Sequence, residues 1–473
     1  MTLLDAGYLI AAAVTAPIWA RKARGDWRGR MGHQPPNFSL GAYPQGSTGA
    51  ANHPFLQPDA REVEARAAGG RPPRILLHAV SVGEVNAIRA LVPKLTCEAE
   101  VVVSVGTDTG IGRAHELFRN APRVAVVRYP LDFSWSVRRF LDWARPDVVG
   151  LVELELWPQF IRSCNDRGIP VAVINGRLSP RSFKGYRQFR RFVGPMFRSL
   201  AAAGVQDEAY RGRFVEMGVP AERCRVTGSM KWDSVAVPAP GEPVPGAAGL
   251  AAMLGIESSR PLVVAGSTGP GEEELLHLEC PPGVQLLCAP RKPERFDEAA
   301  AAMRGCARRS EVGGGRKLGG EAGREGAGGA DRFLLDSIGE LRAAYSLADV
   351  AVVGRSFFDL YGSDPVEPAA LGKAGVIGPA VADFEGAVAA LEGAGGLVRT
   401  DRAGLGRTIR ELLGDPERRA ALGQAARACV RANQGATARH ADLLIGLLPR
   451  VGGGLGEPGS RGGRDDREGN FDT

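Results

Sequence analysis

The sequence predicts an α/β protein made of two doubly wound, Rossmann-like domains that face one another across a cleft. Three observations predict this fold. Short, continuous, Val-rich apolar runs alternate with helical segments, which is typical of parallel strands whose sheet is covered on both faces. The alternation stops at a Pro- and Gly-rich stretch and then starts again. The length of 473 residues suits two domains with additional tails.

An apolar stretch opens the chain at residues 3–20, with one charge, Asp5, at its start. Its length of about 18 residues is just enough for a short membrane span or an interfacial helix. A cleaved signal peptide carries its positive charge before the apolar stretch, whereas the basic residues here follow it and keep that flank cytoplasmic. They are Arg21, Lys22, Arg24, Arg28 and Arg30. We therefore predict a membrane anchor with a basic flank over residues 1–32; a buried first helix is the alternative.

The first domain is expected over residues 72–236. Residues 33–71, before it, are rich in Pro, Gly and Asn without a sustained period, which indicates a linker or long loop. The strand candidates of this domain are "RILLHAV", "EVVVSVG", "RVAVVRYP", "DVVGLVE", "PVAVING" and "AAAGVQ".

The second domain is expected over residues 260–448, after a hinge at 237–259 that contains "VPAPGEPVPGAAG". A low-complexity insert at 308–331 interrupts it and predicts a mobile surface loop. Residues 449–473 predict a disordered tail. The strand candidates are "RPLVVAGS", "VQLLCAP", "DRFLLD", "DVAVVG" and "AGVIGP".

The overall charge favours anionic partners, since the formal net charge is +6 and the sequence pI about 9.0. Few aromatic residues stand among the basic clusters, so a stacking platform for nucleic acid has little support. The seven cysteines are scattered without a C-x-x-C pair, which fits reduced thiols. The six histidines are dispersed, and no metal-ligand motif, P-loop or G-x-S-x-G elbow occurs.

Three carboxylates follow predicted strands of the first domain. Glu84 lies in "HAVSVGEVNA", at a strand-to-helix turn, and Glu153 and Glu155 lie in "LVELELWPQF". A favourable interaction with the helix dipole, a helix N-cap or an ion pair would explain each of them singly. Parallel strands bring their carboxyl ends to one edge of the sheet, so three acids there indicate a catalytic site.

Basic residues gather after another strand of this domain. Arg177, Arg181 and Lys184 stand in "NGRLSPRSFKGY", and Arg190 and Arg191 follow in "RQFRRFVGPMFRSL". In the second segment Phe and Met residues recur at helical spacing among the arginines, which indicates a basic amphipathic helix that contacts a membrane surface or phosphate-bearing lipid. An ordinary helix with an apolar core face is the alternative.

Candidate anion-binding residues follow the strands of the second domain. "GSTGPGEEE" opens a helix whose backbone amides suit an anion, although one Gly-rich turn is weak support. "CAPRKPERF" places Arg291 and Lys292 after a strand, where two cations suit a phosphate. Glu367, in "YGSDPVEPAALG", suits ribose hydroxyls near a helix N-terminus.

These segments together resemble the 3-deoxy-D-manno-octulosonic acid (Kdo) transferase family. The resemblance runs in order from about residue 21 to 448, and "SVGE", "ELELWP" and "SIGEL" are its most specific parts. It implies a GT-B fold and an N-terminal anchor at the cytoplasmic face of the inner membrane. It also implies metal-independent, inverting transfer of Kdo from CMP-Kdo to a lipid A precursor (lipid IVA), in lipopolysaccharide inner-core biosynthesis, with no cofactor.

The resemblance also implies roles for individual residues. Glu84 would be the general base, while Glu155 and Lys231 would lie near the reacting centre. The basic stretches would receive the acceptor phosphates and the bilayer. The residues expected around CMP are Pro290, Arg291, Lys292, Ile338, Gly339, Glu340, Asp364, Pro365, Val366 and Glu367.

Three positions depart from the family pattern. Lys292 stands where the family has His, Gly269 stands in its Ser-Thr-His turn, and Asp364 replaces a neutral Asn. A carboxylate near a phosphate costs electrostatic energy, which Lys292 would partly offset. Two alternatives stay open: a GT-B transferase with another activated sugar donor, and a membrane-tethered lipid-binding homologue without catalysis.

Overall fold

The computed structural model describes residues 26–34, 71–239, 241–312 and 331–449. The predicted anchor at 3–20, most of the predicted linker and insert, and nearly all of the predicted tail lie outside the described residues. Within the described ranges, none of the helices combines the length and apolar character needed to cross a bilayer.

The chain forms two compact units. One contains the described residues up to Thr227 together with those from Ala438 onward, and the other runs from Gly228 to Thr437. This division differs from the sequence-based boundaries 72–236 and 260–448, because the second unit already begins at Gly228 and residues 438–448 return to the first unit. There His440 Nε2 accepts a hydrogen bond from the Asn175 amide at 3.2 Å. Leu444 packs against Gly150: a Cβ atom added at position 150 would lie 3.2 Å from a methyl carbon of the Leu444 side chain.

The first unit is built on a seven-stranded parallel sheet in the order β3-β2-β1-β4-β5-β6-β7. The six predicted strands are present; β7, with only three residues, is too short for its pattern to have predicted it. The strands are β1 (Arg74–Ala79), β2 (Glu100–Val105), β3 (Val124–Arg128), β4 (Val148–Val152), β5 (Val171–Gly176), β6 (Ala202–Val205) and β7 (Cys224–Val226).

Helices cover both faces of this sheet, because successive crossovers between parallel strands pass above and below it. They are α1 (Trp27–Arg30), α2 (Val82–Ala87), α3 (Leu91–Leu95), α4 (Asp108–Phe118), α5 (Ser134–Ala144), α6 (Pro158–Asp166), α7 (Pro180–Gln188), α8 (Arg190–Arg198) and α9 (Glu208–Met217). A 3₁₀ turn at Ala221–Arg223 precedes β7.

The second unit repeats the architecture, with a seven-stranded parallel sheet in the order β10-β11-β9-β8-β12-β13-β14. The five predicted strands are present, and the two very short strands β10 and β14 at the sheet edges were not predicted. The strands are β8 (Leu262–Thr268), β9 (Gln285–Pro290), β10 (Ala307–Arg308), β11 (Arg332–Leu334), β12 (Val350–Val353), β13 (Ala374–Ile377) and β14 (Leu397–Arg399).

The helices of the second unit end with one that crosses back to the first, α19 (Ala436–Ile445). The others are α10 (Ala247–Leu254), α11 (Glu272–Glu279), α12 (Phe296–Ala302), α13 (Arg309–Val312), α14 (Leu341–Leu347), α15 (Val366–Ala370), α16 (Glu385–Gly393), α17 (Arg402–Gly414) and α18 (Pro416–Asn433). Two 3₁₀ turns lie at Met230–Ser234 and Pro293–Arg295.

The strand order determines where functional side chains meet. In the first sheet the chain runs outward over β2 and β3 and then returns to the other side of β1, so β1 and β4 are neighbours, with His78 opposite Leu151. In the second sheet β8 is likewise flanked by β9 and β12. The loops after these central strands lie at the switch points where doubly wound proteins bind ligands.

Candidate active site

Glu84 is the third residue of α2 and is 8% exposed. Its side chain closes a capping box with Ser81: Glu84 Oε1 accepts from the Ser81 amide at 3.2 Å and from Ser81 Oγ at 2.7 Å. Oε2 accepts from the Val80 amide at 2.8 Å. A carboxylate offers about four lone-pair sites, so one site on Oε2 stays open for a further proton or donor. The capping explanation of Glu84 and a role as a base are therefore compatible.

Two further acids lie beside Glu84 at the end of β4. Burial raises the pKa of Glu84, and the charge of Glu153 raises it further, while the hydrogen bonds from Val80 and Ser81 lower it. Burial also raises the pKa of Glu155 to about 7; the charges of Glu84 and Glu153 add to this, and a hydrogen bond from Trp157 opposes it. The structure thus brings the three predicted carboxylates together, with two pKa values displaced towards neutrality.

Two residues that the sequence did not single out shape this acidic site. Asp132 is buried, and its carboxylate caps α6 by accepting from the amides of Gln159 at 3.0 Å and Phe160 at 2.8 Å. It thereby fixes the segment that follows Glu155. Tyr186, on α7, is close enough to Glu155 for that charge to raise its pKa, after burial as the main cause. Asp132 follows "YPL" after β3, a strand-end position that could have drawn notice.

The predicted basic amphipathic segment is two helices, α7 and α8, which meet at Phe189. The apolar residues divide between two environments. Phe197 is fully buried, with Val193 and Met196 packed beside the core, whereas Phe189 is 60% and Phe192 is 81% exposed. The core-face interpretation is therefore confirmed for Phe197 and its neighbours, whereas contact of the exposed part with a membrane or lipid stays a prediction.

The predicted cations of this segment are mostly exposed. Arg177 is half-buried directly after β5, and the remaining four reach solvent. Among the described residues, no acidic group lies within ion-pair distance of Arg181, Lys184, Arg190 or Arg191. Together with Phe189 and Phe192 these four residues form what we call the basic aromatic surface. Its composition suits a phosphate-bearing apolar ligand or an anionic bilayer.

In the second unit, two cations approach Asp364. Burial raises the pKa of Asp364, whereas a hydrogen bond from the Val366 amide at 2.9 Å and the positive charges of Lys231 and Arg291 lower it. Lys231 Nζ also stands 5.1 Å from the centre of the Phe384 ring. We call Lys231 and Arg291 the cation pair. These two cations, rather than Lys292, offset the carboxylate that departs from the family pattern.

The other predicted donor-site residues lie on loops at the carboxyl edge of the same sheet. Pro290 ends β9, and Lys292 is exposed just beyond it. Ile338 is 74% exposed, and Gly339 has φ +95° with open space around it, so this turn leaves its backbone free for close approach. Glu340 precedes α14 and accepts hydrogen bonds from Arg309 and Ser337.

The start of α15 carries the last three of these residues. Pro365 precedes the helix, and Val366 is buried in its first turn. Burial raises the pKa of Glu367, Arg342 lowers it, and the charge of Asp364 raises it. Glu367 and Asp364 therefore lie close to one another. Within the described residues, His, Cys, Asp and Glu side chains form no group that could hold a metal ion.

The Gly-rich turn "GSTGPGEEE" differs from the anion site that its pattern suggested. The Gly269 amide donates to Glu272 Oε2 at 2.8 Å, and Glu272 and Glu273 are buried in the first turn of α11. Two buried carboxylates at a helix start make that start a poor place for a phosphate. A Cβ added at position 269 would lie against the end of the Leu360 side chain, which would have to move to admit it.

Comparison with known proteins identifies relatives of this chain. The family model described as 3-Deoxy-D-manno-octulosonic-acid transferase (kdotransferase) matches residues 47–234. The 3-deoxy-D-manno-octulosonic acid transferase of Bordetella pertussis is 32% identical over 407 residues, which are 80% of this chain and 89% of that protein. The enzyme of the same name from Haemophilus influenzae is 30% identical over 392 residues, 80% of this chain and 88% of that protein.

Solved structures resemble the fold. Anabaena Alr3699/HepE in complex with UDP matches with a TM-score of 0.52 and 14% identity, over 79% of this chain and 100% of that chain. UDP-GlcNAc 2-epimerase from Neisseria meningitidis bound to UDP-GlcNAc gives a TM-score of 0.51 and 13% identity, over 79% and 100% of the two chains. At these identities the likeness concerns the architecture of two parallel-sheet α/β domains alone.

Proposed function

This chain belongs to the 3-deoxy-D-manno-octulosonic acid (Kdo) transferase family, and on that premise we propose that it transfers Kdo from CMP-Kdo to the lipid A precursor lipid IVA. The proposal includes inversion at the transferred carbon, independence of metal ions and the GT-B architecture that the resemblance implies. The observation that carries it is the buried Glu84 with the half-buried Glu153 and Glu155 beside it at the ends of β1 and β4, since a carboxylate with a raised pKa suits deprotonation of a sugar hydroxyl.

Glu84 is the proposed base. Its open lone-pair site takes the proton of an acceptor hydroxyl while that oxygen forms a bond to the anomeric carbon of Kdo. The bond between this carbon and the phosphate oxygen breaks, and CMP leaves with the electron pair. One positioned carboxylate is sufficient for such an inverting displacement. The capping box holds the Glu84 side chain in one rotamer, which reduces the entropy cost of reaching the transition state.

Glu155 and Glu84 would divide the acid and base roles between them. Burial raises the pKa of Glu155 to about 7, so Glu155 keeps its proton over much of the range below neutral pH. Carboxyl groups whose environments separate their pKa values commonly take different roles in one site. Glu155 then serves as a hydrogen-bond donor near the reacting centre, while Glu84 acts as the base.

The donor loops would meet the charge of CMP. A monophosphate leaving group can be stabilised by the cation pair, since guanidinium and ammonium groups both bind phosphate oxygens. The exposed turn at Ile338 and Gly339 and the start of α15 supply backbone and carboxylate groups for the nucleoside. The second candidate function is transfer from a different activated sugar donor. One observation favours it: the carboxylate of Asp364 already interacts with both members of the cation pair, which would otherwise meet the phosphate of CMP.

The acceptor is proposed to bind at the basic aromatic surface. Its four arginine and lysine side chains suit the phosphates of a lipid A precursor, and the two exposed phenylalanines suit its acyl chains or the bilayer. We further propose that the protein works at the cytoplasmic face of the inner membrane and that the N-terminal apolar stretch anchors it there.

The test is an in vitro transfer assay with CMP-Kdo and a tetraacylated lipid A precursor, in the presence of EDTA, with mass spectrometry of the product. Glu84→Gln is the informative variant because the glutamine oxygen can keep the capping box with Ser81, while its amide nitrogen can neither take the proton nor accept from the Val80 amide. We expect loss of transfer of at least about a hundredfold, the usual contribution of a general base. CMP binding should stay unchanged.

Glu208→Gln is the matched control, because Glu208 is an exposed carboxylate in the first turn of α9 and should tolerate the change. Equal activity of Glu84→Gln and wild type would refute the base assignment. If the wild type binds lipid but transfers a sugar other than Kdo, CMP-Kdo is the wrong donor and the second candidate function takes its place. Loss of wild-type transfer activity in the presence of EDTA would refute metal independence.

A further inference from the structure

We propose that Glu272 and Glu273, adjacent at the start of α11, are positioning residues that hold the two loops expected to bind the donor. The inference rests on the proposed function for its catalytic consequence and on the hydrogen bonds described below for its structural part. Neither residue was expected around CMP, and neither is assigned a contact with donor or acceptor.

Strand order explains why this position is special. β8 lies between β9 and β12 in the sheet, so the loops that follow β9 and β12 flank the loop that follows β8. α11 starts directly after that middle loop. Two successive side chains at its first turn can therefore reach one neighbouring loop each. Among the helices of this unit that the structure describes, no other starts from a loop that adjoins both of these loops through the strand order.

Glu272 holds the loop after β12. The carboxylate is fully buried and accepts four backbone hydrogen bonds, three of them from consecutive residues of that loop. Oε2 accepts from the amides of Gly269, at 2.8 Å, and Arg355, at 2.5 Å. Oε1 accepts from the amides of Ser356, at 2.8 Å, and Phe357, at 3.0 Å. Four donors match the four lone-pair sites of an ionised carboxylate, and no neutral side chain of this size offers as many.

The held backbone continues directly to the predicted donor segment. Arg355 accepts from the Gly362 amide at 2.8 Å and donates through its guanidinium to the Leu360 carbonyl at 2.8 Å. These two bonds close the chain into a compact loop that ends two residues before Asp364. Arg355 itself has φ +57°, a left-handed conformation that a non-glycine residue keeps only when its surroundings hold it. Glu272 supplies that restraint.

Glu273 holds the loop after β9. Its two carboxylate oxygens accept from the two terminal nitrogens of Arg295, both at 2.9 Å, in a bidentate pair with 1% exposure of the acid. Oε1 also accepts from Thr268 Oγ1 at 2.6 Å. The Thr268 carbonyl in turn accepts from the Arg291 amide at 3.0 Å. These bonds hold the two ends of one short turn: the backbone of Arg291, a member of the cation pair, at its start and the side chain of Arg295 at its end.

The consequence is a donor site whose loops are arranged before the donor arrives. Loops that must be ordered on binding lower affinity, since the ordering entropy is lost at that moment. Weakening the Glu272 anchor should therefore raise KM for CMP-Kdo, while kcat, which depends on Glu84 and on the cation pair outside the loop after β12, changes little. A residue with a purely structural role would instead lower the amount of active protein, and kcat with it, at constant KM.

The experiment compares Glu272→Gln with Glu274→Gln. Glu274 lies in the same first turn and is exposed, so the control removes the same charge without removing a buried contact. We expect KM for CMP-Kdo to rise about tenfold in Glu272→Gln, because the amide group leaves buried backbone donors without an acceptor. We expect kcat to stay within about twofold, and Glu274→Gln to match wild type.

Hydrogen–deuterium exchange provides the second readout, which does not depend on catalysis. Peptides covering residues 354–365 should exchange faster in Glu272→Gln and at the wild-type rate in Glu274→Gln. If Glu272→Gln does not fold, Arg295→Lys replaces it: lysine keeps the charge and loses the bidentate geometry. The same rise in KM is then expected, with faster exchange over residues 290–296.

Unchanged KM and unchanged loop exchange in folded Glu272→Gln or Arg295→Lys would overturn the proposal. A fall in kcat at constant KM would also overturn it, in favour of a purely structural role. If wild type does not use CMP-Kdo, the proposed function fails, while the exchange data still decide whether the two carboxylates hold the loops.

Discussion

Glu155→Gln is expected to stabilise the first unit at neutral and alkaline pH. The reason is that the native environment of Glu155 disfavours its ionised form. Burial and the charges of Glu84 and Glu153 raise its pKa from 4.5 to about 7. The amide of glutamine carries no charge, and its carbonyl oxygen can still accept the hydrogen bond from Trp157 Nε1, which is 3.2 Å long in the wild type.

The magnitude and the pH window follow from the two pKa values. Between pH 4.5 and about 7 the unfolded chain has lost the Glu155 proton and the native protein still holds it, so wild-type stability falls as pH rises through this window. The pKa difference corresponds to about 3 kcal/mol at pH 8. Below pH 4.5 both states are protonated and the difference vanishes. For a domain of this size about 3 kcal/mol raises the melting temperature by about 6–12 °C.

The assay is thermal unfolding of wild type and Glu155→Gln at pH 4.5 and pH 8, followed by tryptophan fluorescence. Glu222→Gln, an exposed carboxylate of the same unit, is the control and should shift neither melting temperature. The reasoning would be contradicted if Glu155→Gln did not raise the melting temperature at pH 8. An equally large rise at pH 4.5 would also contradict it. The burial of the ionised carboxyl would then not be the source of its perturbed pKa.

Two further predictions concern the donor site and the basic aromatic surface. Asp364→Asn should bind CMP about tenfold more tightly at pH 8, because it removes an anion from the field of the cation pair, and this gain should shrink as acid protonates the wild-type residue. Isothermal titration calorimetry measures it, with exposed Asp359→Asn as control; equal affinity of Asp364→Asn and wild type would refute it. Phe192→Ser should weaken binding to vesicles containing anionic phospholipid about tenfold or more, since about 2 kcal/mol accompanies burial of such a ring. Co-sedimentation with the vesicles tests this, with Leu278→Ser as control, since Leu278 is 74% exposed on the second unit. An equal loss of vesicle binding in both variants would count against the basic aromatic surface as the membrane contact.

Much of the fold follows from local pattern. The central strands of both sheets are buried on both faces, so they appear in the sequence as continuous apolar runs. The strands that the sequence missed, such as β10 with two residues and β14 with three, lie at sheet edges and are too short to show a period. Glu84 and Glu155 were recognisable because each follows such a run. Asp132 and Glu272 follow strands as well, yet their hydrogen bonds go to chain segments far away in sequence.

Local sequence pattern is sufficient to predict most strands, the repeated α/β order and the acids at strand ends, because these depend on which side chains avoid water locally. Which side chains meet is settled by the tertiary fold. It assigned residues 438–448 to the first unit, set the cation pair rather than Lys292 beside Asp364, and exposed Phe192 while burying Phe197. The physical reason is that periodicity reports burial along one element, whereas partners across a sheet depend on strand order, which no local pattern encodes.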